Sequence, residues 1–232
     1  MNNRTTLVRV IAVSTLALLA QKSGAAVIFS SGSLTPLDFG ANFSQEGTPY
    51  RIAGGFTLTS SATLEAVRFW GTHWNSGTLP NPDSFRVIVY GDSAGAPNTS
   101  NILLDTGGSI FSRIDTGYDH NDVPGANILE YSFALTSSVP LSAATPYWLA
   151  VIENGTTSGT QFAWQEVSSS TSGAWLSSDS GISYPTSRQQ VLFELHDTAF
   201  GVSAIPEPGS ATALAVLLTS SLSLHRRRKP KR

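Results

Sequence analysis

Cysteine is absent from all 232 residues, so no disulfide can staple the fold and the folded part must rest on its own core. Positive charge is nearly absent from the middle of the chain. Between Val27 and Ile205 there is no lysine, and five arginines (51, 68, 86, 113 and 188) face fifteen Asp and Glu residues, a net of −10. A body so acidic repels phosphate backbones and anionic lipid, which excludes nucleic acid as an expected partner. Long apolar runs are missing too: neither hydrophobic segment reaches the ~20 residues of a comfortable membrane span. Convincing helical periodicity is also lacking between the two ends.

What is present at the termini is strongly partitioned. Nine of the fourteen basic residues lie there: Arg4, Arg9 and Lys22 at the start, Arg226, Arg227, Arg228, Lys229, Lys231 and Arg232 at the end. Met1 to Arg9 carries two arginines, Val10 to Ala20 is apolar apart from Ser14 and Thr15, and Ser23, Gly24, Ala25 and Ala26 are small. This three-part layout predicts a secretory signal peptide over 1–26, cleaved after Ala25 or Ala26.

At the other end Pro206-Glu207-Pro208 precedes an apolar run, Gly209 to Leu224, and then the basic cluster. Two prolines around Glu207 hold the segment extended, the form a backbone-reading protease needs. Sixteen helical residues reach about 24 Å, short of a ~30 Å hydrocarbon core. Thr212, Thr219, Ser220, Ser221 and Ser223 dilute the run and weaken insertion further. The basic cluster compensates by snorkelling and by staying cytoplasmic under the positive-inside rule, leaving the body outside the inner membrane.

In that order, behind a signal peptide, residues 205–232 resemble the PEP-CTERM sorting tail of Gram-negative bacteria. The resemblance implies that an exosortase, a membrane-embedded cysteine-dependent enzyme, reads Pro206, Glu207 and Pro208. It implies that Arg226, Arg227, Arg228 and Lys229 anchor the cytoplasmic side and that residence in the inner membrane is transient. It also implies a final address at the cell surface or in the medium, in association with exopolysaccharide and biofilm production.

The body, 27–204, has the length of one domain. Short runs rich in Val, Ile, Phe, Tyr, Trp and Thr predict nine strands: 55–59, 63–70, 84–90, 103–112, 128–135, 147–153, 161–166, 174–177 and 191–196. Phe85, Val87 and Val89 share one face, as do Tyr131, Phe133 and Leu135, and Val191, Phe193 and Leu195. Two facing sheets bury such stripes, so an all-β, jelly-roll-like β-sandwich is expected, flanked by the signal peptide and the C-terminal hydrophobic anchor helix. The body also resembles a sandwich module that recurs in secreted bacterial proteins, through Gly55-Phe56-Thr57-Leu58, Val67-Arg68-Phe69-Trp70-Gly71, Asp83 to Asp92, Pro146-Tyr147-Trp148-Leu149 and Phe193-Glu194-Leu195. Where that module commonly carries an Asp pair before its first Phe, Gly54 and Gly55 stand here.

Several segments invite a chemical reading. Gly91-Asp92-Ser93-Ala94-Gly95 matches the Gly-x-Ser-x-Gly elbow of esterases, but Ala96-Pro97-Asn98 cannot open the helix that motif requires, and a hairpin loop is expected. Asp115, Asp119 and Asp122 gather oxygen ligands suited to calcium, without the spacing of an EF-hand, so no metal is assigned. His73, His120 and His196 are scattered singly and do not spell a zinc site. Glycoside hydrolysis needs two facing carboxylates, for which Glu65, Glu130, Glu153, Glu166 and Glu194 are available. Sugar binding needs exposed aromatic faces. Trp74, in the loop 72–82, and Trp175, between Ser-rich segments, are the two expected at the surface, whereas Trp70, Trp148 and Trp164 are expected in the core. No cofactor motif occurs. The expected role is a non-enzymatic exported surface or matrix protein, with a carbohydrate-binding module and an extracellular hydrolase as alternatives.

Overall fold

β-Branched and aromatic runs punctuated by Gly, Pro, Asn and Ser fold into twelve strands and no helix among the described residues. In the computed structural model these are residues 25–34, 41–74, 84–120, 126–154, 161–167 and 172–200. The expected leader up to residue 24, the Pro206-Glu207-Pro208 motif, the apolar run 209–224 and the cluster Arg226 to Lys229 lie outside them. Among the described residues no helix is long and apolar enough to cross a membrane.

The strands are β1 (Val27–Ser30), β2 (Ala41–Phe43), β3 (Arg51–Thr57), β4 (Ala62–Trp74), β5 (Phe85–Ser93), β6 (Ala96–Asp119), β7 (Asn127–Leu141), β8 (Pro146–Glu153), β9 (Gln161–Gln165), β10 (Ser172–Ser177), β11 (Thr186–Gln189) and β12 (Phe193–His196). They form two curled antiparallel sheets, an all-β arrangement consistent with a β-sandwich. The first sheet runs β1-β12-β4-β7-β6, with β9 beside β4 and β2 beside β9; the second runs β6-β5-β8-β3-β10-β11. β6 belongs to both. Its first half pairs with β5 from Ser93↔Ala96 to Arg86↔Gly107, and its second half pairs with β7 from Gly108↔Leu135 to Asp119↔Asn127.

Each of the nine expected strands is present, several of them longer. The run expected over 103–112 is the middle of the 24-residue β6, because the strand continues through the Gly107-Gly108 junction from one sheet into the other. β4 runs on to Trp74, beyond the expected end at Trp70, because β9 supplies a partner through Gly71↔Trp164 to Trp74↔Gln161. Val191, expected at the start of the last strand, instead makes a single bridge to Glu166.

The three expected stripes meet in one core. Phe85, Val87 and Val89 of β5 pack with Tyr131 and Phe133 of β7, and with Val191, Phe193 and Leu195, while Leu135 packs at its margin. Aromatic rings carry the contact between sheets: Phe69 lies 5.0 Å from Phe85 and stacks on Tyr131 at 5.1 Å, and Phe85 meets Phe162 at 5.0 Å. Trp164 is fully buried and donates its indole N–H to the Leu192 carbonyl at 2.9 Å, so its polar handle is satisfied. Trp70 and Trp148 are buried as well, but on the outer faces, Trp70 with Ile128, Val167 and Leu192, Trp148 with Ile88, Tyr90 and Tyr184.

The folded region begins and ends at one place. β1 pairs antiparallel with β12 through Val27↔His196, and just beyond them the Asp197 N–H donates to the Ala26 carbonyl at 3.2 Å. Register puts one end of β4 and one end of β7, Trp74 and Asn127, away from this point, at the opposite end of the strands of the first sheet.

Gly71 tests how tightly the core closes. A methyl at this position would press on the Phe162 ring and stand 2.8 Å from the Ala163 carbonyl oxygen, whereas at Gly107 the nearest atom would be 3.7 Å away. Gly71→Ala is therefore expected to lower stability by about 1–3 kcal/mol and Gly107→Ala to change it by less than about 0.5 kcal/mol. Urea unfolding measures both; equal midpoints for the two variants would contradict this packing.

Candidate functional site

The Gly91–Gly95 segment forms a two-residue hairpin. Ser93 pairs with Ala96, and Ala94 and Gly95 turn the chain with φ of 53° and 84°. Two successive positive φ values are the mark of a tight hairpin turn, not of a strand-to-helix elbow. Asp92 is occupied by the fold: one carboxylate oxygen accepts the Trp148 indole N–H at 2.8 Å and the other the Gly95 N–H at 3.1 Å. Ser93 is exposed at the end of β5.

The carboxylates considered for hydrolysis separate into different environments. Glu130 and Glu194 do approach a common point, on the outer face of the first sheet, but Arg68 lies between them at 3.3 and 3.2 Å. His196 stands 3.5 Å from Glu194 and, with Arg68, holds its carboxyl below the usual range. Phe200 covers this group, its ring 4.6 Å from His196 and 5.3 Å from the Arg68 guanidinium. The arrangement neutralises charge across neighbouring strands.

Glu153 is fully buried at the end of β8. Its backbone is fixed by Ser44 and Glu46, and its carboxylate lies 3.7 Å from His73 Nδ1. On the other side of the ring, His73 Nε2 and the Tyr131 hydroxyl share a hydrogen bond of 2.9 Å. Burial, with a smaller effect from the Arg113 charge, lowers the His73 pKa to about 4, so the imidazole is neutral at pH 7. Both side chains are sealed from solvent inside the fold. Nothing local marks the pair in the sequence, because eighty residues separate its members.

The two candidate tryptophans lie apart. Trp74 is not in a loop: it is the last residue of β4, half-buried, its ring edge-on to Phe43 at 5.9 Å and to His120 at 5.3 Å. Trp175 is half-buried in β10, between β3 and β11, and packs on the outer-face cluster of Tyr90, Trp148 and Tyr184. That cluster extends into a groove of about 180 Å³ bounded by Glu46, Arg51, Arg86, Tyr90, Thr99, Ile102 and Ser180. Its cations are already engaged. Arg51 donates to the carbonyls of Gln45, Thr48 and Tyr50 and to Glu46, and Arg86 makes a two-pronged pair with Asp105 at 2.6 Å for each bond. The groove thus offers hydrogen-bonding edges with paired charges over a floor of Tyr90, Ile88 and Ile152, flanked by the exposed Ile102 and Ile182.

Of the calcium candidates, Asp115 and Asp119 are exposed, and Asp122 is outside the described residues. Both Asp115 oxygens accept hydrogen bonds, from Gly117 N–H and the Asn127 side chain. Among the described residues no three His, Asp or Glu side chains converge on a metal-sized site. No family model matches the chain, and no curated protein matches it.

Two outcomes are expected. Asp92→Ala removes two acceptors and should cost about 1–3 kcal/mol, while Ser93→Ala should change stability by less than about 0.5 kcal/mol; a Ser93→Ala loss as large as that of Asp92→Ala would contradict the hairpin assignment. His73, with its folded pKa depressed from 6.5 to about 4, contributes stability that is complete above pH 6.5 and is lost as pH falls toward 4. Between those limits the wild type should lose about 3 kcal/mol more than His73→Gln. Denaturant titrations at pH 7 and pH 4.5 read the difference, and parallel losses in the two proteins would refute it.

Proposed function

We propose that this chain is a non-enzymatic, exported surface or extracellular-matrix protein of a Gram-negative bacterium, sorted by a PEP-CTERM tail and associated with exopolysaccharide or biofilm. Its leader is removed on export, its tail holds it briefly in the inner membrane, and an exosortase-like enzyme severs the tail near Pro206-Glu207-Pro208. The observation that carries the reading is the meeting of the folded region's two ends, where β1 and β12 are paired and Ala26 and Asp197 are hydrogen-bonded. Two hydrophobic segments that leave a domain from one point can enter the same bilayer without distorting the domain between them. The acidic, lysine-free body is in keeping with this, since it would not adhere to anionic lipid once released. We also propose a jelly-roll-like connectivity for the sandwich, supported by the single strand β6 shared between its sheets.

A second reading, a carbohydrate-binding module, is favoured by the groove beside the cluster on which Trp175 packs, whose paired charges and floor of Tyr90, Ile88 and Ile152 suit an uncharged sugar. In this reading binding of the mature protein on a glycan array would fall at least about tenfold on Ile102→Asp, since that side chain is half exposed at the groove rim. Unchanged binding, or none by the wild type, removes it.

For the sorting tail, Glu207→Ala should leave a longer species in the membrane fraction. Immunoblots of fractionated cells compare the two, and wild-type and variant proteins of equal size would count against processing at this motif.

A further inference from the structure

We propose that the mature chain begins at Ala26 and that its new α-ammonium group closes an ion pair with Asp197, latching the mature N-terminus to the root of the sorting tail. This rests on the export reading and goes beyond it, because it selects one of two cleavage positions and assigns the freed amine a partner.

The geometry is already in place. The Ala26 nitrogen donates to Asp197 Oδ1 at 3.1 Å, and the Asp197 N–H returns a bond to the Ala26 carbonyl at 3.2 Å. The Thr198 hydroxyl also donates to Asp197 Oδ1, at 3.1 Å, which fixes the carboxylate where it stands. Small residues at Ser23 and Ala25 permit hydrolysis of the Ala25–Ala26 bond; Gly24 and Ala26 equally permit hydrolysis one residue later. The consequences differ. In the first case water adds its oxygen to the Ala25 carbonyl carbon, the C–N bond breaks, Ala25 departs as a carboxylate, and the Ala26 nitrogen gains protons to become an ammonium. An amide donor to Asp197 becomes a charged one in the same place, which is the stronger kind of hydrogen bond. In the second case both the donor and the carbonyl that accepts from Asp197 are lost with the leader.

β1 needs such a clasp. It is a four-residue edge strand with half-exposed Val27 at its start, held along one side only, by β12. Its other attachments are Ile28 and Phe29 against the core, the Phe29 ring lying 5.4 Å from Phe193 and 5.7 Å from Phe56. A terminal strand so short frays from its free end, and that end is Ala26. Asp197 is nine residues before Pro206, and Phe200 docks on Arg68 and His196 between them. The latch therefore ties the first residue of the mature chain to the segment from which the tail departs.

The lysine-free body makes the test specific. Once leader and tail are gone, the α-amine is the single primary amine of the protein. Intact mass and N-terminal sequencing of exported protein should give a start at Ala26. A start at Val27 or later overturns the latch alone, whereas an uncleaved Met1 start overturns the export reading as well. Acylation of the α-amine at pH 7.5 should then be about threefold slower in the wild type than in Asp197→Asn, because pairing holds the amine protonated. Asparagine keeps an oxygen acceptor at the site, so the strand pairing survives the change. Equal rates in the two proteins overturn the ion pair.

Discussion

The contact between the two sheets through their aromatic side chains is what the rest of the structure depends on. With no cysteine to cross-link the strands, the sheets are held by rings contributed from both sides: Phe69, Tyr131, Phe162, Trp164 and Phe193 from the first, Phe56, Phe85 and Tyr147 from the second. Phe56 bridges Tyr147 at 5.6 Å and Phe193 at 6.2 Å, while Phe69, Phe85 and Tyr131 form a mutually touching triplet. Edge-on and stacked pairs of this kind add about 0.5–1.5 kcal/mol each beyond the area they bury. The layer also dictates where small residues must stand, as at Gly71, whose lack of a side chain leaves room for the Phe162 ring.

That same layer explains what became of the segments with chemical promise. Asp92 holds Trp148 against the outer face, Glu153 and His73 close the interior beside Tyr131, and Glu130 and Glu194 share Arg68. Asp92, Glu130 and Glu194 are each engaged by a neighbour on another strand, and Glu153 lies 3.7 Å from His73. Polar groups so engaged carry a desolvation cost if pulled away, which makes them poor candidates for contacting a ligand and good ones for fixing strand register.

Much of the fold was legible because one face of a sandwich strand is buried and the other meets solvent. Phe193 and Leu195 flank the part-exposed Glu194, and that stripe points straight at the core. Legibility failed where this premise fails. β8 is buried on both faces, Leu149 and Val151 inward and Trp148, Ala150 and Ile152 outward, so its run has no alternation and conceals a second cluster. β11, Thr186–Gln189, is exposed along its whole length and owes its form to backbone pairing with β10, which no apolar pattern can announce. Trp74 was expected in a loop because β9, the strand that extends β4 to reach it, lies almost ninety residues further on. The groove beside the cluster on which Trp175 packs was hidden for a like reason, since its walls come from β3, β5, β6, β8 and the turn after β10.

The convergence of the two ends follows from the order of strands and has consequences for any process acting at both termini. Because β1 and β12 are antiparallel neighbours at the edge of one sheet, the first residue of the first strand and the last residue of the last strand are register partners, whatever the ten strands between them do. The far end of β4, Trp74, stands eight residues beyond Ala66, the register partner of His196, so it is removed from the place where β1 and β12 meet.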